Sequence, residues 1–324
     1  MERTPVLIDC DPGVDDMFAL LLALGSPSIQ VVGVSIVMGN HENVEMLARN
    51  ACLALHLAGH AAVPVAIGAT APIGVAYHGH SGIKVHGDDG LGHTGEAARV
   101  PDDFVRTCRE LGSCGAGGLM SRLAEAHAGR LVVIALGPLT NVALAAEQDA
   151  AIVDRVAKLA VMGGTTDGRG NKTPAAEANF HNDAVAAKRV FAAFPRIVLA
   201  GLNATRQVSM LRNGFRERLR DVGNEAGRVL FAVSQHYCDL LKSWGNSDIP
   251  MHDPTAVMSI VHPELFKTET REVDVEAEKV LTEGAVVVDW MGHWGKKHVQ
   301  TEILMEVDVA AYHERFVEAI ARLG

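Results

Sequence analysis

The chain has 324 residues, 48% of them hydrophobic and 21% charged, an ordinary mix for a globular protein of one large or two smaller domains. Its 29 Lys and Arg against 39 Asp and Glu give a net charge of −10, which argues against nucleic acid as a partner. No apolar run is long enough to span a membrane and the N-terminus lacks a signal-peptide pattern. Cys10, Cys52, Cys108, Cys114 and Cys238 are scattered without a CxxC pair, as free thiols in a reducing cytoplasm would be.

Taken in chain order, Val6-Leu7-Ile8 reads as a short buried strand and Met17 to Leu22 as a buried helix. Between them lies Asp9-Cys10-Asp11-Pro12-Gly13-Val14-Asp15-Asp16. Pro12-Gly13 signals a turn, Asp15 or Asp16 stands where a helix N-cap belongs, and Gly25-Ser26-Pro27 stops the helix. Ile29 to Val37 is a second strand ending at Met38-Gly39-Asn40. Val44 to Ala58 has helical spacing, and Pro64 to Ile67 is a third short strand. Pro72 to His93 is Gly- and His-rich with little periodicity, the mark of a long loop. Leu119 to Ala128 is helical. Leu131 to Leu136 is a strand, followed by Gly137-Pro138-Leu139-Thr140-Asn141 and a helix from Val142. Leu159 to Met162 and Ile197 to Leu202 are further strands, the first ending in Gly163-Gly164 and the second in Asn203. This alternation predicts an α/β fold with a mostly parallel central sheet flanked by helices. Arg212 to Lys242 reads as helical and amphipathic, and Pro254 to Val261 as a helix entered through His252-Asp253. Arg271 to Val275, Ala285 to Trp290 and Gln300 to Val307 read as C-terminal antiparallel strands in a ribbon, with Val309 to Leu323 a closing helix. There is no internal repeat and no low-complexity linker, so residues 1–324 read as one continuous domain.

The acidic stretch demands a partner. Two carboxylates about 4 Å apart repel by roughly 4 kcal/mol at an effective dielectric of ~20. A helix N-terminus offsets only about 0.3–1 kcal/mol per carboxylate. A divalent cation offsets far more, and an all-oxygen donor set favours a hard ion such as Ca²⁺ or Mg²⁺ over Zn²⁺. In a parallel sheet Asp11, Asp15, Asp16, Asn40, the Leu136 carbonyl and the segment after Gly163-Gly164 collect at the carboxyl ends of strands, where ligands bind. Asn171, Glu177 and Asn179, in the Gly170–Asn179 loop, are amide and carboxylate groups suited to vicinal hydroxyls. His78, His80, His86 and His93 raise the alternative of a zinc site, but they lack the paired spacing of one and have no nearby cysteine.

The first stretch resembles the N-terminal signature of the nucleoside hydrolases, the inosine–uridine-preferring family that cleaves the N-glycosidic bond of ribonucleosides. Asp9, Asp11, Pro12, Gly13, Asp15 and Asp16 all match it. The loop with Asn171, Glu177 and Asn179 matches the segment that holds the ribose hydroxyls. Met251-His252-Asp253-Pro254 matches the family's His-Asp pair, Val85 to Gly92 its His-Gly loop, and Val133 to Asn141 its strand and turn. The five motifs run in family order from Asp9 to about Asp308. Members often carry Asp where Asn203 stands and His where Arg206 stands, and the segment His236 to Ser247 is idiosyncratic.

The resemblance implies hydrolysis of a ribonucleoside to ribose and free base, with Ca²⁺ held by Asp11, Asp16, Asp253 and the Leu136 carbonyl. It implies Asp11 as general base and His252 as the group facing the leaving base, the latter because an imidazole titrates near working pH. Asp15, Asn40, Asn171, Glu177 and Asn179 would hold the ribose, His86 would line the base pocket, and Asp9 would support the ligands from behind. Tyr237 and Trp244 would close over the base as a lid, or else serve as ordinary helix packing. The histidines suggest inosine and uridine ahead of adenosine and guanosine. A homodimer or homotetramer is implied as well, with no membrane or nucleic-acid partner. Two rival readings stand beside it. One is a Mg²⁺-dependent phosphohydrolase with Asp9 as nucleophile and Asp11 as acid, disfavoured by Gly13 where Thr or Val would be wanted. The other is a non-catalytic nucleoside-binding protein.

Overall fold

The computed structural model describes residues 2–74, 82–278, 280–295 and 300–324. Its strands are β1 (Thr4–Cys10), β2 (Ile29–Ile36), β3 (Val65–Ile67), β4 (Leu131–Ala135), β5 (Val156–Met162), β6 (Arg196–Ala200), β7 (Phe266–Arg271), β8 (Val273–Val275), β9 (Val286–Val288) and β10 (Gln300–Val307). Among the described residues eight of them form one sheet in the order β3-β2-β1-β4-β5-β6-β10-β7. All neighbours are parallel except β10 and β7. β1 has successive apolar side chains on opposite faces, so Val6 and Ile8 join one core and Leu7 the other. Both faces are covered by helices, which explains why the strands read as near-continuous apolar runs.

The sheet order reverses beside β1, with β2 on one flank and β4 on the other. That places a crevice beyond the carboxyl ends of β1 and β4. The helix after β1, Val14–Gly25, is buried along almost its whole length and packs against the helices Asp253–Val261 and Val309–Ile320. Its last residue is Gly25, where a Cβ would strike the Ala319 carbonyl of the closing helix, and the chain turns extended at Ser26.

Three expectations need correction. The first helix is capped by Gly13, not by Asp15 or Asp16; Asp16 sits in its first turn and accepts the Gly13 N–H at 2.9 Å. The three C-terminal strands do not form one ribbon. β10 enters the main sheet parallel to β6, and β7 is its antiparallel neighbour at the edge, while β8 and β9 pair separately. The stretch from Arg212 to Lys242 is broken into Phe215–Asp221 and Glu225–Ser243 at Gly223, whose φ of 82° no helix interior accommodates. Sequence reading also missed the helices Asp102–Leu111 and Ala184–Ala193. His78 and His80 lie outside the described residues. No described helix is long and apolar enough to cross a membrane.

Candidate active site

Asp11 directly follows β1. Its Oδ2 accepts the Asn40 N–H at 2.6 Å, and the Asn40 side chain donates to the Asp11 carbonyl at 3.1 Å and to Asp16 Oδ2 at 3.0 Å. Asn40 thereby ties the end of β2 to the end of β1. Gly39 and Gly137 flank the Asp11 carboxylate so closely that a Cβ on either would collide with it. Asp15 and Asp16 come from the first turn of the Val14–Gly25 helix, and Asp253 opens the helix Asp253–Val261. The backbone before Asp253 is held by the Met251 N–H on the Val208 carbonyl at 3.0 Å, which anchors it beyond β6.

Asp15, Asp16 and Asp253 are buried, and each offers a carboxylate oxygen within 4.8 Å of the others. Asp11 is not one of this group of three, but it is buried and its charge reaches Asp253. Burial pushes all four carboxyl pKa values up, those of Asp15 and Asp16 to about 6 and those of Asp11 and Asp253 well above the ordinary range. Their mutual repulsion adds to the rise. A cluster of buried oxygens that resist ionising together fits a hard divalent cation, which would relieve both the burial cost and the repulsion. The Leu136 carbonyl, the other expected ligand, already accepts the Asn179 amide at 2.6 Å, leaving one of its two lone pairs.

The remaining site residues line one cavity of about 600 Å³ with Asp11, Asp15 and Asp253, and Asp16 is buried beside them. Glu177 is buried and caps a short helix, its carboxylate accepting N–H groups of Asn179, Phe180 and Gly164 at 2.8, 3.2 and 3.0 Å. Burial raises its pKa to about 7. Asn179 also donates to the Met162 carbonyl at 3.2 Å, and Asn171 Oδ1 accepts the Ala178 N–H at 2.9 Å. His86 stacks on Tyr237 with ring centroids 6.0 Å apart, and its Nδ1 accepts the Val14 N–H at 3.0 Å. Asp15 Oδ1 lies 3.9 Å from that same nitrogen, but burial lowers the His86 pKa to about 4. The ring is therefore neutral, with its proton on Nε2. Tyr237 is buried and Trp244 is 57% exposed, and both line the cavity.

His252 is half-buried, its Nδ1 bonded to the Thr205 hydroxyl at 2.8 Å. Burial, with help from Arg206 and His86, lowers its pKa to about 4. That corrects the expectation of an imidazole poised near working pH. Asn203 donates to the Leu304 carbonyl at 2.8 Å and does not line the cavity, whereas Arg206 does. Asp9 is buried behind the site, bonded to Ser35 at 2.5 Å and Asn141 at 2.8 Å, and burial raises its pKa to about 7. Sequence reading missed Ser35, Asn141, Thr205 and Lys172. The signal for Thr205 was present in its place just after a buried strand, among other polar residues.

A model of the inosine-uridine preferring nucleoside hydrolase family matches residues 6–314. The chain is 34% identical over 320 residues to a pyrimidine-specific ribonucleoside hydrolase RihA of Klebsiella pneumoniae, covering 98% of this chain and 97% of the relative. It is 33% identical over 319 residues to the RihA of Escherichia coli O157:H7, covering 98% and 97%. Among solved structures, a purine-preferring ribonucleoside hydrolase from Gardnerella vaginalis superposes with a TM-score of 0.88 at 27% identity over 98% of each chain. A plant nucleoside hydrolase superposes at 0.87, also 27% identical, over 99% of each.

Proposed function

The chain belongs to the inosine-uridine preferring nucleoside hydrolase family and is a ribonucleoside hydrolase, an N-glycosidase; on that premise we propose that it releases the base from pyrimidine ribonucleosides first, with Ca²⁺ as its ion. The relatives named above for pyrimidine specificity support uridine and cytidine as leading substrates. The observation that carries the site assignment is the single cavity in which an acidic floor meets Asn40, Asn171, Glu177, Asn179, His86 and His252.

Asp11, Asp16 and Asp253, with the Leu136 carbonyl, would hold the ion, and the proximity of Asp15 to Asp16 and Asp253 supports Asp15 as a further ligand or as a hydroxyl acceptor beside them. When bound, Ca²⁺ supplies a Lewis acid that makes water a better nucleophile. Asp11 accepts the proton of the attacking water as general base. Its carboxylate is aimed by the Asn40 N–H and confined by Gly39 and Gly137. Asn40, Asn171, Glu177 and Asn179 hold the ribose while positive ribosyl character develops at the anomeric carbon.

His252 acts as a neutral imidazole. When the Thr205 hydroxyl donates to Nδ1, Nε2 carries the proton and can donate to the departing base, so Thr205 is a positioning residue. His86, with its proton on Nε2 and Tyr237 behind it, is the second donor on the base side. The test is release of uracil and ribose from uridine by purified protein. Activity should vanish on chelation and return with Ca²⁺. Activity indifferent to chelation, in protein that elemental analysis shows to be free of Ca²⁺, would overturn the metal assignment.

A further inference from the structure

Arg206, where the sequence departs from the family's pattern, lines the cavity but has no task in the reaction as described so far. It directly follows the short helix Leu202–Thr205 after β6, and its N–H donates to the Leu202 carbonyl at 3.1 Å. That helix is firmly set: the Leu202 N–H donates to the Gly164 carbonyl at 3.0 Å, and Thr205 is fully buried. From this base the guanidinium reaches the Gly170–Asn179 loop. Nη1 donates to the Arg169 carbonyl at 2.7 Å and Nη2 to the Gly170 carbonyl at 3.1 Å. A planar fork fits two consecutive carbonyls in one fixed geometry, whereas an ammonium is a rotating point charge.

The loop is fastened differently at its two ends. Glu177 and Asn179 are tied beyond β4 and β5, through the Gly164 N–H and the Leu136 and Met162 carbonyls. Asn171 is exposed, and so are Asp167, Gly168 and Arg169 before it. Its N–H donates to the Ala176 carbonyl at 3.2 Å, and those of Lys172 and Thr173 converge on the same oxygen, so these bonds close the turn on itself. A Cβ on Gly170 would lie 2.0 Å from the Thr173 carbonyl oxygen, which leaves that position to glycine. Arg206 ties this turn to the body of the protein. The Gly170 carbonyl and the Asn171 N–H belong to one peptide unit, so Arg206 grips one edge of it and Ala176 the other. The plane of that peptide sets where the Asn171 side chain starts, and its Oδ1 then accepts the Ala178 N–H at 2.9 Å.

An exposed turn opens more readily than the sheet it rests on, and a binding group that must be ordered at each encounter costs affinity. We propose that Arg206 is a positioning residue that holds Asn171 ready for the ribose. This rests on the reading of Asn171 as a sugar ligand given above.

The test is a double-variant cycle on uridine: the parent, Arg206→Ala, Asn171→Ala and the two together, with ribose as inhibitor and melting curves as the folding control. Arg206→Ala should raise KM for uridine and the inhibition constant of ribose about tenfold, the size of one hydrogen bond to a charged group, with kcat held within about threefold. p-Nitrophenyl riboside, which shares only the sugar, should suffer the same loss. Arg206→Lys should recover part of it. In the double variant the loss should match that of Asn171→Ala alone to within about twofold, because both changes remove one contact. Losses that multiply in the double variant would set Arg206 apart from Asn171 and overturn the proposal, as would an Arg206→Ala protein with the parent's KM and ribose inhibition. A loss on uridine that spares p-nitrophenyl riboside would move Arg206 to the base side and overturn it as well. The reading beneath fails differently: Asn171→Ala would then leave uridine kinetics and ribose inhibition unchanged. Should Arg206→Ala melt far below the parent, Arg206→Gln, which keeps an uncharged donor, takes its place in the cycle with the same outcomes.

Discussion

At Asp11, replacement by Asn preserves shape and removes the charge. The residue accepts the Asn40 N–H, so Asp11→Asn keeps an acceptor there but no longer offers a base. We expect kcat on uridine to fall by at least ~100-fold, the scale of one general base, with the melting temperature of the ion-free protein held or raised because one buried acid is gone, and a smaller gain on adding Ca²⁺. Steady-state kinetics within a few-fold of the parent would refute the role. His252 is tested by leaving-group chemistry. His252→Ala should harm uridine far more than p-nitrophenyl riboside, whose phenolate departs without a proton. Thr205→Val, which leaves the imidazole in place but frees its Nδ1, should show the same bias in weaker form. Equal losses on both substrates would make these residues mere supports for Asp253. With the His252 pKa near 4, kcat/KM should show no break near pH 6.5 from this group, and a nearby cation only lowers that pKa further.

Elements carry these side chains to one place, and the turns after the strands decide how tightly. Gly137 follows β4, and a Cβ there would sit 2.6 Å from Asp11 Oδ1 and 2.8 Å from Val37 Cγ1. Gly137→Ala should therefore displace the Asp11 carboxylate, lowering kcat/KM by about tenfold or more while the melting temperature falls only slightly. Unchanged kinetics would mean that Asp11 has slack. How much of this was legible in the sequence follows from range. The strands near the site are buried on both faces and announce themselves as apolar runs, so β1, β2, β4 and β5 were predicted within a few residues. The acidic stretch was legible because its charges are local. The Gly13 cap was not, because Asp16 reaches backward from the first turn. The pairing of β10 with β6 was not either, since the residues that pair lie about a hundred positions apart and alternation in one strand does not name its neighbour. The lowered pKa of His252 depends on burial by segments distant in the chain.

Across the whole molecule, the buried carboxylates make stability depend on pH and on the ion together. Asp15 and Asp16 carry pKa values of about 6 in the fold against an ordinary 3.8. A raised folded pKa means that the native chain holds more protons than the unfolded chain between those values. Their stabilising contribution is complete below about pH 4 and is lost as pH rises through about 6. The ion-free protein should thus lose melting temperature from pH 5 to 7.5, whereas Ca²⁺, binding the ionised cluster, should raise it by an increment that grows over that range. An increment equal at both pH values would place the ion elsewhere. Substrate choice is the last consequence of the assembled cavity. On the proposed assignment the sugar would be held by groups from several elements, and removing one hydroxyl would leave buried partners unpaired at about 1–3 kcal/mol each, more when charged. Uridine should therefore exceed 2′-deoxyuridine in kcat/KM by at least ~10-fold. On the proposed assignment the base would meet His86, which stacks on Tyr237, and His252, which bonds to Thr205, donors that suit pyrimidine oxygens. Measured across uridine, cytidine, inosine, adenosine and 2′-deoxyuridine, kcat/KM should put the two pyrimidine ribonucleosides first and adenosine below inosine. If adenosine led, the base-side assignments would fall while the ribose set stood; if deoxyuridine matched uridine, Asn40, Asn171, Glu177 and Asn179 would lose their role.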